Sequence, residues 1–282
     1  MGTFSRSWDL LVQSFQVLKS DKNLLWLPVI SAIFCVCATV TIFAVGLLVM
    51  VPAGAIPRDP AGQKALEHSM APFIFLFYLV TYSIAIFFNV ALVSIAANRL
   101  SGGQATINDG LQAAWNRKWS IVQWALLAAT VGILLNALEQ RLGFVGRFIT
   151  SAIGIVWTLA SFFVVPVLAA ENMGPAEALY KSADVFRETW GEEVVGGFSF
   201  GAIFFFLSLP GVIFPVLGAR LAGPEGTMVG AAVAVMYWLV LGAVGSAARG
   251  IFVAALYRYA TTKEVAPGFQ RDDLAGAWQP KE

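Results

Sequence analysis

The chain has 282 residues, 58% of them apolar and only 12% charged, with a mean hydropathy of +0.74. A water-soluble domain usually carries about 45–50% apolar and about 25% charged residues, so a soluble globular class is excluded. The net charge of +1, from 18 basic and 17 acidic residues, leaves no basic stripe for a polyanion, and nucleic acid is not expected as a partner.

In chain order, the first element is a short amphipathic helix, with Trp8, Leu11, Phe15 and Leu18 on one side and Asp9, Gln13, Gln16 and Ser20 on the other. A charge-free run follows over 23–57. Crossing a hydrocarbon core takes about 20 apolar residues, since about 30 Å is covered at about 1.5 Å per residue. The run ends in VPAGA, where Ala53 and Ala55 have the spacing of a signal-peptidase site. It is longer than a signal core of about 7–15 residues, however, so the first span is expected to remain in the protein. Residues 51–71, with Pro52, Pro57, Pro60 and the single histidine His68, read as a turn-rich outer loop.

A second charge-free run covers 69–98. A second surface helix then opens at Thr106, with Asp109 at capping-box spacing and with Ile107, Leu111 and Ala114 on its apolar side. Charge-free runs at 119–138 and 148–170 follow. A third surface helix starts at Pro175, a suitable first helical residue, and carries Leu179, Ala183, Phe186 and Trp190. The last two runs are 194–219 and 226–248, and residues 265–282, with Pro267, Gly268 and Pro280, read as an extended or partly disordered tail.

Basic residues set the orientation, because Lys and Arg resist translocation. One set of alternate loops holds Arg6, Lys19, Lys22, Arg99, Arg117, Lys118, Lys181, Arg187, Arg258, Lys263, Arg271 and Lys281. The other holds Arg58, Lys64, Arg141, Arg147 and Arg220. Both termini are therefore expected in the cytoplasm, with the protein a multi-pass component of the cell membrane.

The ends of the even-numbered spans look alike: FFNVALVSIAAN from Phe87, FFVVPVLAAEN from Phe162 and IFVAALYRYATT from Ile251. A unit of surface helix, span, outer loop and span fits three times, over 4–98, 104–172 and 174–262, inside one membrane domain at 1–264. The predicted fold is an all-α polytopic bundle of six transmembrane helices in three repeated units, each led by a cytoplasmic amphipathic helix.

No catalytic, metal or cofactor signature is present. One histidine supplies neither a triad nor a multi-histidine site. Cys35 and Cys37, two apart on a helix, point away from each other and read as small apolar residues. The carboxylates lie outside the charge-free runs, with Glu139, Glu171 and the pair Glu192 and Glu193 at their boundaries. Arg249 differs, lying inside an apolar pattern from Met228 to Leu256, where a guanidinium faces a bundle interior or cavity or else snorkels to the interface. The repeat alignment sets it opposite Ala85.

Asn89 is a candidate interhelical hydrogen-bonding group. Pro166, Pro210 and Pro215 each free a backbone carbonyl. The pair Gly197 and Gly201, and the set Gly242, Ser246 and Gly250, allow close helix packing. The candidate polar site is thus Arg249, Asn89, Pro210, Pro215 and Glu171.

The segments SWDLLVQSFQVLKSDKNLLWLPVISAI, VVPVLAAENMGPAEAL and ALYRYATTKEVAPGF resemble an uncharacterised prokaryotic family of six-span membrane proteins. More distantly, the chain is similar to the membrane domain fused to some glycerophosphodiester phosphodiesterases, without the acidic, histidine-rich catalytic domain. The resemblance implies a topology and no reaction. Three functions are open at this stage. The first is a non-enzymatic membrane-organising or assembly component, with membrane lipids, further copies or other membrane proteins as partners. The others are a small-molecule or lipid transporter with a path between the repeats, and a lipid-modifying enzyme using boundary acids.

Overall fold

The computed structural model describes residues 3–50, 60–190 and 200–275, and within them every regular element is helical. Helix α1 (Thr3–Ser20) leads through a short turn into α2 (Trp26–Met50), followed by α3 (Pro60–Leu100), α4 (Ile107–Asn116), α5 (Lys118–Ala160) and α6 (Val164–Ala170). The chain continues as α7 (Pro175–Trp190), α8 (Phe200–Ser208), α9 (Pro210–Thr262) and α10 (Arg271–Ala275). Five segments are long and apolar enough to cross a membrane: Lys22–Leu48, Pro72–Leu100, Lys118–Leu142, Gly146–Ala170 and Ile203–Thr262. Large apolar side chains face outward along them, with Leu221 85%, Phe148 78% and Leu48 73% exposed. Water would penalise such a surface, whereas lipid tails suit it. The chain is accordingly a membrane protein.

Several hydroxyl groups inside these segments are satisfied locally, as an apolar medium favours. Thr39, Thr81, Thr130 and Thr158 each donate to the carbonyl four residues earlier, at 2.7, 2.6, 2.8 and 2.8 Å.

Two of the helices reverse direction. A straight α5 of 43 residues would be about 65 Å long, well over a bilayer's thickness. Trp124 and Trp157 nevertheless stack with ring centroids 5.6 Å apart, and a Cβ added at Gly146 would lie 3.2 Å from the Glu139 Cα. The chain therefore folds back between Glu139 and Gly146, as the sequence predicts for that boundary. In α9 the break is explicit, because Ala222 and Gly223 leave helical geometry and Gly223 has φ 59° and ψ −139°, a conformation open to glycine alone. Beyond it the two arms touch backbone to backbone, Gly218 against Gly226 and Gly230 against Phe214.

The three look-alike segments form the centre of the molecule. Val90 to Ile95 of α3, Phe163 to Leu168 and Ile251 to Leu256 of α9 supply most of its fully buried side chains, and they pack on one another. Sequence likeness therefore marks the segments excluded from the outer surface.

Two expectations are revised. The outer connection is shorter than 51–71, because α3 begins at Pro60, where proline's missing N–H and fixed φ suit a first helical position; residues 51–59 lie outside the described residues. The tail is docked rather than extended as far as Ala275. Ala266, Phe269 and Leu274 are buried, Gln13 Nε2 donates to Asp273 Oδ2 at 2.7 Å, and the Gln270 N–H donates to Gln13 Oε1 at 3.2 Å. Three apolar side chains in ten residues, too sparse to read as a span, are enough to anchor the tail on α1. Gly197, Glu192 and Glu193 fall outside the described residues.

Candidate functional site

At the end of the bundle carrying α1, α4 and α7, four cations, Arg99, Arg117, Lys181 and Arg258, are each tied to a partner and form a charged belt. Arg99 donates to the Ala105 carbonyl at 2.9 and 2.7 Å and pairs with Asp21. Arg117 donates to the Glu171 carbonyl at 3.3 Å. Arg258 donates to the Leu100 carbonyl and to Glu264, both at 2.7 Å. Glu171 pairs with Lys181 and accepts from the Tyr257 hydroxyl at 3.2 Å. This belt holds the predicted boundary acid in a structural role, joining α6, α7 and α9.

Gly102 and Gly103 end α3 in a Schellman turn. Gly103 donates to the Asn98 carbonyl and Gly102 to that of Arg99, at 3.0 and 2.9 Å, with Gly102 at φ 85°. Thr106 then caps α4 and exchanges hydrogen bonds with Asp109. The Thr106 backbone N–H and, second to it, the Thr106 hydroxyl both donate to the Asp109 carboxylate and hold it below its ordinary range. The capping box read from the sequence is present.

Deeper in the bundle lies a cavity of about 830 Å³, within the usual range for small-ligand sites. Its walls come from α3 (Tyr82, Ala85, Asn89), both arms of α5 (Trp124, Trp157, Thr158), the break after α5 (Ser161, Phe162), α8 (Phe204, Ser208) and the second arm of α9 (Trp238, Gly242, Gly245, Ser246, Arg249). The break at Ser161 is physically caused. Pro166 has no N–H for the Phe162 carbonyl, the chain loosens over 161–163, and the Phe163 N–H is taken up by the Ser182 hydroxyl of α7 at 2.9 Å.

Arg249 and Asn89 thus share one cavity, and Ala85, the residue set opposite Arg249 by the repeat alignment, lies in the same wall. The depth follows from helix rise. Arg249 is nine residues before Arg258 and Asn89 ten before Arg99, so both sit about 13–15 Å inward of the charged belt. Among the described residues the cavity wall contains no carboxylate, and Arg249 makes no ion pair. Close approach of α9 to α3 is set at Gly250, where an added Cβ would run into Leu92 and lie 3.7 Å from Asn89 Oδ1.

The other predicted site residues are elsewhere. Pro210 opens α9 just beyond Ser208, and the carbonyls of Leu207 and Ser208 at that kink accept from the Tyr237 hydroxyl and from the Trp238 indole, the latter at 3.0 Å. These oxygens are thereby capped by the opposite arm. Pro215 packs against Gly230 toward the hairpin tip. Sequence reasoning missed the aromatic wall of Tyr82, Trp124, Trp157 and Trp238, because aromatic residues in apolar runs carry no mark of which face they occupy. The tryptophans deep in these runs, rather than at their ends, were the available signal.

Residues 69–267 match a family of unknown function, DUF6159. The chain belongs to that family. The matched region includes every wall residue of the cavity and most of the charged belt. Comparison with curated proteins and with solved structures returns no match.

Proposed function

We propose that this protein is a carrier for a small molecule or lipid in the cell membrane, without enzymatic activity. In this reading it crosses the bilayer six times, as three hairpins each led by a surface helix, with both termini cytoplasmic. The even count is supported by the meeting of the chain's ends, because α1 and α10 touch only if they lie on one side. The reversals in α5 and α9 are those that six crossings require, and the excess of Lys and Arg favours the cytoplasm for the belt.

The observation that carries the transport reading is the cavity itself. A guanidinium about 13 Å inside the belt, in a space lined by Asn89, Ser161 and Ser246, is what a water-reachable path needs and what a dry packing interface lacks. The organising or assembly reading is favoured by a different observation, the outward-facing apolar length of α2, which leaves a face for other membrane proteins or a second copy.

Accessibility separates the two without knowledge of a substrate. With Cys35 and Cys37 replaced by Ser, a cysteine at Ala85 in liposomes should react with a membrane-impermeant maleimide from either side, as alternating access demands. Gln104→Cys, in the exposed turn after α3, should react from one side only. An Ala85→Cys protein that reacts from neither side, beside a reactive Gln104→Cys control, leaves the organising reading in place and removes transport.

A further inference from the structure

We infer that the ligand is a single-chain anionic amphiphile, its oxyanion head on Arg249 and its alkyl chain in an apolar groove between α2, α3 and α9. This inference rests on the cavity being a ligand site. Charge is the first argument. Among the described residues Arg249 is the one ionised side chain in the cavity wall and no carboxylate offsets it, and a planar guanidinium pairs best with a carboxylate or phosphate through two parallel hydrogen bonds. The other polar groups nearby, Asn89, Ser161 and Ser246, are neutral and add hydrogen bonds without adding charge. A head bearing an ammonium would find no anion among the described wall residues.

The second argument is the adjoining space. A groove of about 690 Å³, walled by Val36, Phe88, Leu92, Met236 and Leu239 among others, contains Arg249 nowhere in its lining. It shares Ala85, Asn89, Trp238, Gly242 and Ser246 with the polar cavity. Three of these five are small, and a Cβ added at Gly242 would have no atom within 4 Å, so the seam between the two spaces is open there. Met236 and Leu239 are also exposed on the outer surface, which gives the chain of an amphiphile lateral entry from lipid. A free inorganic anion would use the cavity and ignore the groove, and a neutral lipid would use the groove and ignore Arg249. An anionic amphiphile uses both.

The test uses the full chain in phosphatidylcholine nanodiscs with three photoactivatable C16 probes, each carrying a diazirine near the chain end: a carboxylate, a phosphate monoester and an alcohol. At least one of the acidic probes should label the groove segments 28–37 and 236–243 tenfold or more above the alcohol, and the better of the two identifies the head. Arg249→Gln should lower that labelling tenfold or more and leave the alcohol's unchanged, with Arg249→Lys recovering part of it. Gly242→Leu keeps the cation but fills the seam, so it should also reduce acidic labelling at least tenfold, and it decides the matter if Arg249→Gln misfolds. Equal labelling by acid and alcohol, or acidic labelling that survives both substitutions in a protein eluting like wild type, overturns the inference. The two proposals fail separately. Two-sided access at Ala85→Cys without preference for an acidic probe keeps transport and removes the amphiphile, whereas acid-selective labelling with one-sided access makes the protein a receptor for it.

Discussion

A guanidinium within an apolar span costs about 2.5–3.5 kcal/mol on insertion scales, and at Arg249 no ion pair among the described residues offsets that cost. The contrast with Arg99, Arg117 and Arg258, each tied to a carbonyl or carboxylate, separates residues that tie the fold together from one that makes no ion pair among the described residues. At the same scale the capping box of α4 gives a pH test. Asp109 has a carboxyl lowered by its bonds to Thr106, so its stabilisation is fully present above the unfolded value of about 3.9 and is lost as pH falls through the lower folded value. Amide exchange at Thr106, whose N–H donates to Asp109 Oδ2 at 2.7 Å, should be protected at neutral pH and lose protection below about pH 4; Asp109→Asn should abolish that dependence. Thr106→Ala should weaken α4 by about 1 kcal/mol, read as faster exchange over the helix's first turn.

Helices in this chain were legible from hydropathy, and their reversals largely so, because Arg141, Arg147, Arg220 and Glu225 interrupt the apolar runs where the structure turns. What hydropathy leaves out is how closely the arms approach. Gly218, Gly226 and Gly230 bring the two arms of α9 into backbone contact, whereas Gly242 and Gly250, noted in the sequence for packing, divide into one facing open space and one against Leu92. All are the same residue at helical spacing, and only the neighbouring helix distinguishes them. Gly226→Leu should force the arms apart at a cost of about 2–3 kcal/mol, seen as a lower unfolding temperature in detergent. Gly242→Leu should leave that temperature within a degree or two, since a Cβ there meets no atom within 4 Å.

Taken whole, the molecule is closed on itself by its ends, and that closure was invisible in the sequence because a Gln and an Asp 260 positions apart carry no periodic signal. The centre was legible in another way, since three segments of similar sequence are the ones that converge in the core. Together these features divide the architecture: the look-alike segments hold the spans together, while α1 and the tail close over the charged belt. Breaking the clasp should therefore loosen the tail without disturbing the spans. Asp273 is buried, with Gln13 as its hydrogen-bond partner, so Asp273→Ala leaves the Gln13 amide without its acceptor, a penalty of about 1–3 kcal/mol. That is enough to release a segment held by three apolar side chains. Limited trypsin digestion should then cut after Arg271 at least fivefold faster than in the native chain, with cleavage after Arg99 and Arg258 unchanged because those side chains stay bound in the belt. If all three sites become susceptible together, the tail is integral to the bundle and the belt does not stand without it.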